Sequence, residues 1–331
     1  MGTICSLTLF EKGTPALYAA AFGRLKELED ILSANREGTD LDKVNKNAGI
    51  GPVKVRPELI VCLDRALVYA EKSSGAFDPS VGPLVKLWGI GTDGAHVPKE
   101  EEIKKALTLI DYRDIEVNHD AGTVLLKRPG MALDLGAIAK GYAADELDTL
   151  LTGKGVDRAI IDLGGNIFAM GEKKAKKGPG DFFRGLNPGG SGKQAKDDGS
   201  FWRIGVQDPR ENRGNYIGII ALKNKTVVTS GGYERYFMEG GKRYHHILST
   251  ENGFPIENGL LSVTIVADKS IDADGLSTSA FCLGWEGGRD IIASVKGAGG
   301  IFVFNDLSVR ITPGLEKDFT LSSAEYKLAK P

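Results

Sequence analysis

Four short stretches of this chain concentrate the residue types that phosphate and metal chemistry needs. The first is Asp134-Leu135-Gly136-Ala137-Ile138-Ala139-Lys140-Gly141-Tyr142-Ala143-Ala144-Asp145. A carboxylate and a glycine-loosened turn lead there into a helix, so free backbone groups and Lys140 face one point, which suits a phosphate or a metal. The same residues read equally well as Asp134 capping the helix and Lys140 solvated on its surface. The second, Asp272-Ala273-Asp274-Gly275-Leu276-Ser277-Thr278-Ser279-Ala280-Phe281, sets Asp274 and Thr278 four residues apart. On a helix their oxygens share a face within reach of one cation, and hard oxygen ligands select Mg²⁺ or Ca²⁺ over zinc. The alternative is an N-capping Asp with Thr278 bonded back to its own helix.

The third stretch is Val228-Thr229-Ser230-Gly231-Gly232-Tyr233-Glu234-Arg235, followed by Tyr244-His245-His246-Ile247. On a strand the two adjacent imidazoles face opposite sides, so at most one enters a common pocket and is a candidate acid or base. A hydrogen-bonded structural histidine is the other reading. The fourth, Gly75-Ala76-Phe77-Asp78-Pro79-Ser80-Val81-Gly82-Pro83-Leu84, fixes a rigid turn that holds an aromatic ring and a carboxylate. Such a loop either cradles a planar ring or covers the core.

The elements that must position these residues follow from periodicity. Leu17, Ala21, Leu25, Leu28 and Leu32 mark a first helix, and Pro57 opens a second with Leu59, Leu63, Ala66 and Ala70 on one face. Pro98 starts a short third. Ile115 to Lys127 reads as a hairpin around His119-Asp120-Ala121-Gly122, a further helix runs from Gly136 towards Leu151, and Ala159–Leu163 is a buried strand. Lys173 to Gly199, rich in Lys, Gly, Pro, Asp and Ser, is an exposed excursion. Strands are expected at Trp202–Gln207, Tyr216–Leu222, Thr226–Ser230, Ser262–Ala267 and Gly300–Phe304, with a helix pair at Asp274–Leu283 and Arg289–Val295. The pattern is that of one α+β domain spanning residues 1–331, of one lobe or two, with mainly antiparallel sheet.

Composition narrows the partners. With 42 Lys+Arg against 44 Asp+Glu, the chain lacks the basic surplus by which nucleic-acid and membrane-surface binders neutralise phosphates. Its 3 cysteines, Cys5, Cys62 and Cys282, have neither disulfide-framework nor zinc spacing and are expected as buried thiols. No apolar run is long enough for a membrane span, and no signal peptide is read at the start. Gly89-Ile90-Gly91-Thr92-Asp93-Gly94 matches a dinucleotide fingerprint, but no strand feeds it and no helix follows at once. Gly185 to Lys193 lacks the first glycine and the Ser/Thr of a P-loop. Glycine is in excess, at 44 of 331 residues, so many tight turns or close backbone approaches are expected.

Taken in order, GAFDPSVGPL, DLGAIAKGYAAD, Asp162-Leu163-Gly164-Gly165-Asn166-Ile167, TSGGYERYF, YHHI with Gly253-Phe254-Pro255, and DADGLSTSAFCLG resemble the ApbE family of FAD:protein FMN transferases. The resemblance runs from residue 1 to about 285. It implies an FAD cleft contacted by Met1, Asn45, Ala76, Phe77, Asp78, Asp134 and Lys140, with His246 and Ile247 approaching the phosphates. It also implies Mg²⁺ on the pyrophosphate, held by Asp274, Thr278 and the Ala137 carbonyl. Asp274 would serve as an ionised ligand and His246 as general base.

The implied reaction moves FMN from FAD to a threonine of an acceptor flavoprotein subunit in a membrane redox complex. Hydrolysis of FAD to FMN and AMP, an FAD pyrophosphatase activity, is implied beside it, and FAD storage without turnover is the alternative. Asn45 stands where relatives carry an aromatic residue, so that side of the cleft is expected to be open to water. Gly275, where relatives have alanine, is expected to loosen a helix start. The family further implies a periplasmic, inner-membrane-anchored lipoprotein, touching the membrane only through a lipid anchor outside this sequence.

Overall fold

The computed structural model of the protein describes residues 2–173 and 199–329. Met1, nearly all of the expected excursion and the rejected P-loop segment lie outside them. The helices are α1 (Pro15–Leu32), α2 (Asp40–Lys46), α3 (Pro57–Lys72), α4 (Gly82–Trp88), α5 (Glu100–Leu107), α6 (Ala139–Gly153) and α7 (Ser270–Ala293). The strands begin with β1 (Cys5–Leu9), β2 (Val53–Lys54), β3 (Ile115–Asn118), β4 (Thr123–Leu126), β5 (Ala159–Leu163), β6 (Asn166–Met170), β7 (Trp202–Gln207) and β8 (Tyr216–Leu222). They continue with β9 (Lys225–Gly231), β10 (Tyr236–Glu239), β11 (Lys242–His245), β12 (Leu260–Ala267), β13 (Gly299–Phe304), β14 (Ser308–Ile311), β15 (Phe319–Leu321) and β16 (Lys327–Leu328).

The main sheet has eight strands in the order β1-β5-β6-β9-β12-β13-β14-β16, antiparallel except for the last pair. Its two faces carry different cores. Along β12, Val263, Ile265 and Ala267 enter the helical core, whereas Val266 points the other way. Along β13, Phe302 joins the first set and Ile301 and Val303 the second. This alternation is what a strand buried on both faces requires. Helices α1, α3, α6 and α7 cover one face, and the small sheet β15-β8-β7 covers the other with Trp202, Ile204, Ile217 and Ile220. The fold is thus α+β with mainly antiparallel sheet.

Local chemistry explains the helix starts. Thr14 Oγ1 accepts the Leu17 N–H at 3.2 Å, with Pro15 in the first position of α1. Helix α7 is two helical segments meeting at Gly284, whose φ of 73° and ψ of −166° are not helical, so the break falls directly after Leu283 as the expected pair has it. The first segment differs from expectation in beginning at Ser270, four residues before Asp274, and the second in ending at Ala293. Gly275 therefore lies inside α7, where a Cβ would meet the Tyr69 ring at 2.4 Å. Close packing against α3, not a loose start, accounts for that glycine. Among the described residues no helix is long and apolar enough to cross a membrane.

Candidate functional site

A cleft of about 640 Å³ opens where the starts of α6 and α7, the end of β9, the turn after α3 and the foot of the β10–β11 hairpin converge. Its floor is the crossing of α6 and α7. Asp274 is 3% exposed, and its Oδ2 accepts the Gly141 N–H at 2.9 Å. Gly141 lies in the first turn of α6, where an N–H has no acceptor within its own helix, and Asp274 supplies one. Ala137 stands at the cleft wall just before α6, so its carbonyl is outside the helix's hydrogen-bond ladder. Lys140 Nζ donates to the Gly136 carbonyl at 2.8 Å and lies 3.4 Å from Asp274 Oδ1. One turn further along α7, Thr278 Oγ1 sits 3.2 Å from Ser230 Oγ on β9. Gly141 is required by this crossing, because a Cβ there would stand 2.2 Å from the Ser270 carbonyl oxygen.

The turn after α3 forms a second wall. Ser74 and Gly75 have φ of 53° and 85°, and Phe77 and Asp78 follow, both buried. Asp78 spends its oxygens on the loop itself: Oδ1 accepts from Ser80 N and Ser80 Oγ, both at 2.7 Å, and Oδ2 from Tyr112 N at 2.9 Å. Burial raises its pKa while these bonds oppose the rise. Asp134 likewise accepts from Gly136 N at 2.7 Å, so it caps a turn before the helix and not α6 itself, which starts at Ala139.

His246 follows β11 directly, and Arg235 precedes β10. The His246 Nδ1 lies 3.2 Å from the Arg235 carbonyl oxygen. A carbonyl only accepts, so in the neutral ring Nδ1 carries the proton and Nε2 keeps its lone pair. Burial lowers the His246 pKa to about 4; the bond to the Arg235 carbonyl opposes the fall, and the charges of Arg235 and Lys140 add to it. His245 turns away, with Nε2 3.0 Å from the Ile256 carbonyl, so only one of the two imidazoles belongs to the cleft.

Ala76, Phe77, Asp78, Asp134, Ala137, Lys140, His246, Ile247, Asp274 and Thr278 all line this one cavity. Asn45 does not. Its amide is spent between elements, accepting from Leu133 N at 2.7 Å and donating to the Leu133 carbonyl at 3.0 Å. The asparagine at the cleft edge is Asn35, beside Arg36 in the connection after α1. Sequence reading missed Arg213 and gave no role to Arg235 at the end of its third stretch; the two reach towards the backbone oxygens of Gly164 and Gly2 at 3.4 Å. Asn166, 1% exposed, lines the cleft floor. The hairpin carrying Arg235 and His246 had a readable signal: Gly240-Gly241, whose φ values of 56° and 79° suit a two-residue turn. The cysteines are free thiols, and Cys62 is buried; Cys5 and Cys282, both expected to be buried, are only partly so, and Cys282 borders the cleft.

The donor set fits a hard cation. Among the described residues no three His, Cys, Asp or Glu side chains cluster as a metal cage. One carboxylate, one hydroxyl and one carbonyl outside the helix ladder instead suit an ion that takes its remaining ligands from water and substrate phosphates.

The model of the ApbE family matches residues 1–302. A Treponema pallidum protein named FAD:protein FMN transferase is 38% identical, the alignment covering 100% of this chain and 90% of that one. A Klebsiella pneumoniae protein of the same name is 34% identical over 99% of this chain and 94% of its own. Among solved structures, the ApbE protein of Thermotoga maritima superposes with a TM-score of 0.78 at 30% identity, covering 94% of each chain. The apo flavinyl transferase ApbE of Pseudomonas stutzeri superposes with a TM-score of 0.77 at 27% identity, covering 98% of this chain and 95% of its own.

Proposed function

The chain belongs to the ApbE family, and from that premise we propose that it is an FAD:protein FMN transferase working in the α6–α7 cleft. The observation that carries this reading is the convergence of Lys140, His246, Asp274, Thr278 and the Ala137 carbonyl on one cavity. The hydroxyl of an acceptor threonine attacks the FMN phosphorus of FAD. The P–O bond to AMP breaks, AMP departs, and FMN remains as a phosphoester on the threonine. His246 Nε2 takes the hydroxyl proton, for which a neutral ring is required. Lys140 sets positive charge beside the reacting phosphates.

Asp274, Thr278 and the Ala137 carbonyl would hold Mg²⁺, which supplies charge neutralisation to the pyrophosphate when bound. Incubation of the protein with FAD, Mg²⁺ and a threonine-containing acceptor peptide tests the whole reading. A peptide mass gain equal to FMN, with AMP released, is the expected result. Intact FAD after long incubation would point to storage without turnover.

Hydrolysis of FAD to FMN and AMP is the second reading, favoured by Asn35. Asn35 lines the cavity and carries no ring that would close it to water. Asn35→Tyr is expected to suppress FMN release without acceptor by about tenfold while preserving transfer, because a ring there excludes water. Unchanged hydrolysis in Asn35→Tyr would remove this reading. The family resemblance extends the proposal to an acceptor subunit of a membrane redox complex and to a lipid-anchored periplasmic location, tested by co-expression with such a subunit and fractionation.

A further inference from the structure

Neither helix that meets at the cleft floor caps its own start. Ile138 before α6 and Lys269 before α7 make no side-chain capping bond. Four N–H groups open every helix without intrahelical partners, and a buried start needs acceptors from elsewhere. Each helix supplies the other. Asp274 of α7 accepts the Gly141 N–H in the first turn of α6 at 2.9 Å. Asp145 of α6 accepts the Ser270 and Ile271 N–H groups, the first two of α7, through Oδ1 and Oδ2, each at 2.9 Å. The two pairs are in register: Gly141 and Asp145 are one turn apart on α6, as Ser270 and Asp274 are on α7. Gly141, with no room for a Cβ against the Ser270 carbonyl, lets the backbones approach closely enough for both exchanges.

We infer that Asp145 is a positioning residue for the cation site, acting through this reciprocal capping. By clamping the first turn of α7 onto α6, it fixes where Asp274 meets the Gly141 N–H. That bond occupies Asp274 Oδ2 and leaves Oδ1, which faces Lys140, for the cation. Asp145 touches neither substrate nor ion. A carboxylate suits the position because a helix start presents two donors and a partial positive charge, which a bidentate anion satisfies together.

The inference rests on the Mg²⁺ reading above, and the experiment separates the two. Mn²⁺ binding to the FAD-loaded protein is followed by electron paramagnetic resonance, and FAD binding is measured separately without divalent ions. Asp145→Asn, nearly isosteric, is expected to weaken Mn²⁺ binding by about tenfold or more while leaving metal-free FAD affinity in place. Asp145→Ser, which keeps one acceptor at the helix start, is judged by the same criterion should the asparagine variant not fold. Leu147→Ala, a buried apolar truncation on α6, should lower the melting temperature and leave the Mn²⁺ constant unchanged. A folded Asp145 variant with the wild-type Mn²⁺ constant overturns the inference. Absence of Mn²⁺ binding in the wild type overturns the metal reading beneath it.

Discussion

His246 shows how a single bond decides a residue's chemistry. Its Nδ1–H is committed to the Arg235 carbonyl, so the base available to a nucleophile is Nε2. A histidine in water titrates near 6.5, but this one is held down to about 4. The neutral, proton-accepting form therefore persists as pH falls and is lost only on passing through about 4. The acidic limb of the rate profile is accordingly expected near pH 4 and not near 6.5. His246→Gln should lower the transfer rate by about a hundredfold and erase that limb, both read from initial rates across pH. A limb that survives in His246→Gln would assign the base elsewhere. Asn45 teaches the complementary lesson. The segment from Asn35 to Asn47 offers three asparagines, and only the packing of α2 against the Leu133 segment decides that Asn45 is structural and Asn35 faces the cleft.

At the scale of elements, legibility follows how each element is stabilised. Helices α1 and α3 were readable because one apolar stripe buries against one core, and Leu17, Leu25, Leu59 and Leu63 fall where periodicity puts them. The two segments of helix α7 are legible because glycine marks the end of the first, and Gly284 is indeed non-helical there, while tertiary contacts hold the segments together. The Asn258 amide donates to the Phe281 carbonyl at 2.7 Å, beside the kink, and Trp285 packs edge-on against Phe302 with ring centroids 5.0 Å apart. A residue with a Cβ is strongly disfavoured at φ 73° and ψ −166°. Gly284→Ala should cost about 1–3 kcal/mol in urea-induced unfolding, through the loss of this strained geometry. An unchanged midpoint would mean that the kink relaxes freely. The short helix α4 is hard to read because its stability comes from neighbours, whereas α2, with its Thr39 cap, and the hairpin β10–β11, with its Gly240-Gly241 turn, carry local signals that sequence reading passed over. Phe237 and Tyr244 stack at 5.3 Å and pack on Trp88, a contact invisible to local pattern.

For the molecule as a whole, the near balance of 42 basic and 44 acidic residues is repeated in the cleft, where Arg36, Lys140, Arg213 and Arg235 stand beside Glu29, Asp78, Asp134, Glu234 and Asp274. The positive charge that an anionic dinucleotide needs there would come from a bound cation. Ligands that bind only the folded state stabilise it by mass action. FAD and Mg²⁺ together should therefore raise the melting temperature by about several degrees, more than either alone, and chelation should reverse the gain. Equal shifts with and without the metal would separate flavin binding from the cation.

The two halves of the site are anchored differently. Thr229 and Ser230 belong to β9, which is paired on both sides by β6 and β12 in the middle of the main sheet. His246 and Arg235 instead stand at the foot of β10–β11, a ribbon with one ladder of its own. Amide hydrogen exchange ranks such regions by the free energy of opening, and the ribbon belongs to the faster class.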